Sequence, residues 1–128
     1  MFLTLDATDK RPIYQQIADG IKSLIAGGSL CEGMTLPSVR QVASDLGINL
    51  NTVAVAYRQL QDEGLVTVRH GAGAVISSRK PHPVDEAELY MSLRTALTRL
   101  ILNGLTNREI EEIVHEELTL LQQKGGAE

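Results

Sequence analysis

The stretch DLGINLNTVAVAY, residues Asp45–Tyr57, contains the side chains best suited to recognising another molecule. It is predicted to form a short helix, a tight turn and a second helix, the arrangement of a helix-turn-helix. Asn51 and Thr52 carry an amide and a hydroxyl near the start of the second helix, and such groups hydrogen-bond the edges of bases. From Leu50 onward the stretch has no charged side chain, but apolar groups such as Leu50 and Ala54 can contact the methyl group of thymine. These residue types indicate recognition of nucleic acid through amide, hydroxyl and apolar contacts.

Positive charges that could bind phosphate lie around this second helix. Arg40 lies in the helix before it, Arg58 lies in its second half, and Arg69 lies further along the chain. Phosphate contacts set the affinity and the register of a protein on DNA, and backbone amides at helix N-termini add to them. Each arginine could instead be a solvated surface charge. We favour DNA contact for Arg40 because of its place before the second helix.

No arrangement of residues indicates catalysis or a bound metal. Cys31 is the single cysteine, which is typical of a free thiol in a reducing compartment. His82 and His115 lie far apart in sequence and have no neighbours at metal-ligand spacing. The glycine-rich segment HGAGA, residues 70–74, is predicted to join two strands and lacks the lysine of a phosphate-binding loop. We therefore expect no enzyme activity, no cofactor and no metal site.

Charge is distributed unevenly along the 128 residues, whose net formal charge is −4. Residues 1–80 contain eight Lys or Arg and seven Asp or Glu, whereas residues 81–128 contain four and nine. This asymmetry predicts a near-neutral domain at 1–80 and an acidic region with a separate role at 81–128. No apolar run approaches the roughly 20 residues of a membrane span, and the N-terminus lacks a secretory signal. We therefore expect a cytoplasmic protein.

Caps and helix-breaking residues predict the first two helices. Pro12 opens a helix of regular apolar spacing that ends at Gly27. Ser38, with Gln41 three residues later, is the capping-box signature of a second, short helix. Gly47 ends that helix, because glycine adopts the left-handed conformation at low cost.

The third helix is predicted to begin at Asn49 or Asn51, either of which could cap it. Residues at i, i+3, i+4 and i+7 of this helix form its core face, namely Val53, Ala56, Tyr57 and Leu60. The hydroxyl of Tyr57 could still reach a phosphate from the edge of that face. Segments 65–68 and 74–76 are apolar or β-branched and flank a turn, which predicts a hairpin. The predicted fold is mainly α with a small β-hairpin wing, a winged helix-turn-helix followed by a two-helix extension.

Residues 81–128 are predicted to form two amphipathic helices after a proline-containing linker at 77–85. Thr106 and Glu109 form a capping box at the start of the second. Two such helices cannot enclose a core, so their apolar stripes must be buried on another surface. The same helices of a second copy would provide that surface, which predicts a homodimer. The alternative is that the two helices fold back on residues 1–80. The predicted dimer-interface residues are Leu89, Leu93, Leu97, Leu100, Ile101, Ile110, Ile113, Val114 and Leu118.

Three ordered segments together resemble the GntR family of bacterial transcription regulators. They are RPIYQQIADGIKSLI, LPSVRQVASDLGINLNTVAVAYRQLQDEGLV and RHGAG, and the resemblance covers about residues 12–77. The short tail with GLTNREIEEIVHEEL is similar to that of the YtrA subfamily, whose members carry two dimerisation helices after the winged domain. The resemblance implies a DNA-binding winged domain and leaves no room for the larger effector domains of other subfamilies.

The resemblance also implies roles for individual residues. Arg40 matches an arginine that contacts DNA, and Asn51 and Thr52 match recognition-helix residues that reach bases or phosphates. His70 and Gly71 match the tip of the wing, which lies at the minor groove. Relatives often have proline, arginine or histidine where this chain has Leu50, and they usually have a basic or polar residue at one or both of the positions of Ala54 and Val55. The candidate DNA-binding residues are Ser38, Arg40, Leu50, Asn51, Thr52, Arg58, Arg69, His70 and Gly71.

These features predict a transcription regulator that acts as a repressor. It is expected to bind a double-stranded DNA operator as a homodimer. An inverted repeat would double the few base contacts that one copy makes, so dimerisation is part of the predicted mechanism. The sequence identifies no small-molecule effector. The alternative is a winged-helix protein-interaction module without specific DNA binding, which the apolar surface at Leu50, Ala54 and Val55 and the acidic balance would suit.

Overall fold

A computed structural model of the chain describes residues 3–69, 73–77 and 85–123. Five helices and one antiparallel hairpin follow one another in these residues, which confirms the predicted fold class. The predicted linker, residues 77–85, falls almost entirely outside the described part. The elements are α1 (Ile13–Ala26), α2 (Val39–Leu46), α3 (Leu50–Asp62), β1 (Val66–Arg69), β2 (Gly73–Ile76), α4 (Glu86–Leu102) and α5 (Asn107–Gln123).

One hydrophobic core joins α1, α2, α3 and the hairpin. Its largest fully enclosed side chains are Ile17, Ile21, Val42, Val53 and Leu60, so each of the three helices contributes an apolar stripe. The predicted core face of α3 is buried throughout. Fully burying an aliphatic side chain of this size contributes about 1.5–3 kcal/mol, and this shared core therefore fixes α3 relative to the other elements.

The turn between α2 and α3 follows from local capping chemistry. The hydroxyl of Ser38 accepts a hydrogen bond from the backbone N–H of Gln41, as the capping signature predicts. The reciprocal half of the box does not form, because the Gln41 amide instead donates to the carboxylate of Asp45 at 2.8 Å. Gly47 ends α2 at φ 68°, in the left-handed region that favours glycine. Asn49, rather than Asn51, then caps α3.

The hairpin is tied to the chain that precedes α2. β1 and β2 pair with Val66 opposite Ile76 and Arg69 opposite Gly73, so β1 extends one residue beyond the predicted segment. On the other edge of β2, the backbone of residues 33–36 forms three hydrogen bonds of 2.8–2.9 Å to Ala74 and Ile76. The segment before α2 therefore pairs with β2 as a short third strand would, with Thr35 facing Val75.

The two C-terminal helices pack differently from each other. Thr106 and Glu109 form a complete capping box, in which each backbone N–H donates to the other side chain. α5 contacts α1, and Ile110 is buried within the chain. The predicted alternative of folding back on the first domain is thus realised in part, by α5. No residue of α4 is buried. In the described part of the chain, no helix is both long and apolar enough to cross a membrane.

Candidate nucleic-acid interface

The free face of α3 lies opposite the row of side chains that anchors the helix in the core. Asn51, Val55 and Arg58 are exposed on it, Leu50 is exposed at the first position of the helix, and Thr52 is half-buried at the margin. Leu50 and Val55 keep 43% and 40% of their surface accessible. The structure therefore brings the predicted amide, hydroxyl, apolar and basic groups of α3 onto one accessible surface.

Asn51 is available for an outside partner because Asn49 performs the capping. The Asn49 side chain accepts a hydrogen bond from the backbone N–H of Asn51 at 2.7 Å. The side-chain amide of Asn51 makes no hydrogen bond to any described residue and is exposed. An exposed amide keeps both donor and acceptor free, which is the combination that pairs with adenine in the major groove.

The start of α2 is held against α3 by a buried tyrosine. The hydroxyl of Tyr57, a residue only 5% exposed, donates a hydrogen bond of 2.6 Å to the backbone carbonyl of Pro37. Its proton is therefore used inside the protein and is not available to a phosphate. Burial raises the pKa of this hydroxyl to about 12, so it stays protonated at neutral pH. The bond positions Ser38 and Arg40, which closely follow Pro37 and are both exposed.

The basic side chains of the helix-turn-helix are free, whereas several elsewhere are paired. Arg40 and Arg58 form no ion pair or hydrogen bond with the residues that the structure describes. By contrast, Arg11 bonds Asp9 and Asp19, and Asp9 is held by Arg11 at a pKa of about 2. Unpaired guanidinium groups retain all their donors for a phosphate or a guanine. Arg58 therefore presents free positive charge on the same face of α3 as Asn51, and Arg40 presents it from α2.

The hairpin borders this surface. An open depression of about 250 Å³ separates α3 from the strands, with Ala54 and Arg58 on one side and Val68 and Gly73 on the other. The backbone of Arg69 belongs to β1. His70 and Gly71, the predicted wing tip, lie outside the described residues. The structure thus places the base of the hairpin beside α3.

The predicted dimer-interface residues divide into three groups in a single chain. Leu97, Leu100 and Ile113 are half-buried, and Ile110 is already buried, so these four contribute little free apolar surface. Five remain exposed to 40–55%, namely Leu89, Leu93, Ile101, Val114 and Leu118. The exposed set leaves an apolar face on α4 and α5, which the described residues of this chain do not cover.

Two features of the site were not predicted from the sequence. Val55 is not among the candidate contact residues, although its spacing of four from Asn51 places both on one face of a helix. The bond between Tyr57 and Pro37 had no sequence signal, because 20 residues separate the two. Helical spacing alone would have identified the first.

Comparisons with known proteins agree with this arrangement. The family model described as "Bacterial regulatory proteins, gntR family" matches residues 13–76, from the start of α1 to the end of β2. The HTH-type transcriptional repressor YtrA of Bacillus subtilis (strain 168) is 34% identical over 102 residues, which are 80% of this chain and 78% of that protein.

Solved structures share the architecture of this chain. YtrA from Sulfolobus acidocaldarius, a GntR-family transcription factor, is 41% identical, with a TM-score of 0.64 over 77% of this chain and 99% of that chain. A transcriptional antiterminator from Listeria monocytogenes EGD-e is 28% identical, with a TM-score of 0.85 over 95% and 93% of the two chains. The second match covers nearly the whole chain, so the five-helix arrangement with its hairpin is common to both proteins.

Proposed function

The chain belongs to the GntR family and is a DNA-binding transcription regulator, and we propose that it represses transcription as a homodimer on an inverted-repeat operator. Repression is supported by the similarity to YtrA of Bacillus subtilis, which is described as a repressor. The proposed site of action is the cytoplasm, which in bacteria contains the DNA.

One observation carries the mechanism of DNA binding. The helix-turn-helix exposes the side chains of Arg40, Asn51 and Arg58, which bond no described residue, and its helices are packed on the shared hydrophobic core. In the proposed complex α3 enters the major groove, where Asn51 reads a base and the two arginines bind phosphate or a base edge. Arg69, His70 and Gly71 would approach the adjacent backbone and minor groove.

The dimer is proposed because the described residues of this chain leave apolar side chains of α4 exposed. Leu89, Leu93 and Ile101 are exposed to 54–55%, and exposed apolar patches of this kind mark interaction sites. The same helices of a second copy offer a matching surface through twofold symmetry. The pair would set the distance between the two α3 helices and hence the spacing of the operator half-sites.

The DNA-binding part is tested by selecting sites from a random DNA library and measuring affinity at several salt concentrations. We expect an enriched inverted repeat that binds far more tightly than scrambled DNA. Arg40→Ala should weaken binding to both and reduce the steepness of the salt dependence by about 0.9 for each phosphate that the protein no longer neutralises. Arg108→Ala is the matched control, because it removes the same charge from α5, where the Arg108 side chain is 90% exposed. Equal effects of the two substitutions would exclude a phosphate contact by Arg40.

The dimer is tested by sedimentation equilibrium of Leu93→Glu against Thr95→Glu. Both add a carboxylate to α4, but helical spacing places Thr95 on the face opposite Leu93. We expect a dimer for the wild type and Thr95→Glu, and a monomer for Leu93→Glu.

Transcription in vitro from a promoter that contains the selected site should fall when the wild-type protein is added. A rise in transcription, or a wild-type monomer bound to a single half-site, would contradict the proposal.

A further inference from the structure

We propose that Leu50 and Val55 determine operator specificity by packing against the methyl groups of thymines in the major groove. This assigns them a direct part in reading sequence and predicts A·T base pairs at the centre of each half-site. It depends on α3 lying in the major groove, which belongs to the proposed function.

The position of the two side chains is the first argument. Recognition helices contact base edges with their N-terminal residues. In α3 these are Leu50, Asn51, Thr52, Ala54 and Val55, and Arg58 is the first charged residue of the helix. Three of the five residues in the part of α3 that would reach the bases are therefore apolar.

Exposure is the second argument. Leu50 and Val55 are 43% and 40% exposed, although helices of small domains usually turn such residues inward. Ala54 is half-buried and lies one helical turn after Leu50, so it adds a third apolar side chain to the N-terminal half of the helix. Together Leu50, Ala54 and Val55 form what we call the apolar patch of α3.

Base chemistry is the third argument. The C5 methyl of thymine is the one apolar group that the four bases present in the major groove. A leucine or valine placed against guanine or cytosine would displace water from a donor or acceptor and provide no hydrogen bond in return. The apolar patch therefore favours thymine and disfavours G·C pairs. Asn51, whose amide is free, adds a preference for adenine beside it.

The size of the effect follows from the size of a methyl group. Removing one methyl or methylene from water is expected to change affinity about fourfold. When one methyl is removed from each half-site, binding of the dimer should then weaken about fifteenfold.

The test replaces thymine by deoxyuridine, which removes the methyl and leaves every hydrogen-bonding group in place. Each thymine of the selected operator is replaced in turn, symmetrically in both half-sites, and the affinity of wild-type protein is measured. We expect affinity to fall about fifteenfold at one or two positions and to change little elsewhere. Uniform affinity for all the substituted operators would overturn the inference while leaving the proposed function intact. Absence of binding to any selected DNA would instead overturn the proposed function and this inference with it.

Substitution of the protein separates contact with the methyl from effects on DNA shape. Leu50→Ala and Val55→Ala should each bind thymine and deoxyuridine operators with nearly equal affinity at the position that the residue contacts. Ile13→Ala is the matched control, because Ile13 is 41% exposed and lies at the start of α1, outside the helix-turn-helix. It should retain the full discrimination. Wild-type affinity and discrimination in both α3 variants would overturn the inference and would assign the apolar patch to a protein partner.

Discussion

Removal of the Tyr57 hydroxyl is the substitution whose effect follows most directly from the structure. Tyr57→Phe keeps the buried ring and deletes only the 2.6 Å hydrogen bond to the carbonyl of Pro37. A hydrogen bond of this kind contributes about 1 kcal/mol net to the free energy of unfolding. With a urea m-value of about 2 kcal/mol/M, the midpoint of urea unfolding at pH 7 should fall by about 0.5 M.

The effect of Tyr57→Phe should reverse in alkali. The pKa of Tyr57 is raised from 10.0 to about 12 by burial, so the folded state resists ionisation. Below pH 10 the hydroxyl is protonated in both states and its contribution is fully present. Above pH 10 the unfolded chain loses the proton first, and the wild type loses about 1.4 kcal/mol per pH unit until the folded pKa is reached. The wild type's higher free energy of unfolding, about 1 kcal/mol above that of Tyr57→Phe, should therefore disappear near pH 11, where the stability curves of the two proteins cross.

The assay is urea unfolding of both proteins from pH 7 to pH 11.5, followed by circular dichroism. Tyr14→Phe is the control, because Tyr14 is half-buried and its hydroxyl bonds no described residue. It should match the wild type at pH 7. Stability of Tyr57→Phe equal to that of Tyr14→Phe at pH 7, with no crossing in alkali, would refute the role assigned to the bond.

Three further predictions concern the local geometry around the fold. Gly47→Ala should lower the free energy of unfolding by about 1–2 kcal/mol, because Gly47 has φ 68°, which alanine adopts at a cost. An added Cβ would meet nothing within 4 Å, so the cause is the backbone alone, and Gly47→Asn should lose less stability. Equal losses for the two variants in urea unfolding would contradict a purely backbone cause. Asn49→Ala should cost about 1 kcal/mol by removing the helix cap, whereas Asn51→Ala should leave urea stability unchanged and alter DNA sequence preference; the reverse pattern would assign the cap to Asn51. Arg11→Ala should move the pKa of Asp9 from about 2 back toward 3.8 in an NMR titration, because hydrogen bonds from Arg11 are the main cause of the depression; an unchanged pKa would exclude that cause.

Features that depend on a few neighbouring residues were predictable from the sequence. The cap at Ser38, the helix end at Gly47 and the capping box of Thr106 and Glu109 all occur as predicted. Each of these features forms between residues within about one helical turn of each other, so the local sequence determines it. The buried face of α3 was predictable for the same reason, because helical spacing alone defines it.

Features that depend on distant partners were not predictable. Asn49 and Asn51 carry the same side chain, so the sequence does not show which of them caps α3. The cap is decided by the residue at which the helix begins after the turn at Gly47. The bond from Tyr57 to Pro37 exists only after α2 and α3 have packed together. The contact between α5 and α1 was predicted only as the alternative to a dimer, because the sequence does not show which surface covers an apolar stripe. The candidate DNA surface was thus largely predictable residue by residue, whereas the contacts that hold it in place were not.

The pairing of residues 33–36 with β2 connects the hairpin to the helix-turn-helix through backbone hydrogen bonds. Leu36 bonds Ala74 at 2.8 Å, and Ser38, the cap of α2, follows two residues later. A displacement of the strands should therefore also displace the start of α2, because the hydrogen-bonded segment at residues 33–36 connects the two. Since hydrogen bonds and a shared core join the two parts, the loss of translational and rotational freedom on binding should occur once for both. Contact made by either part raises the effective concentration of the other at its own binding surface.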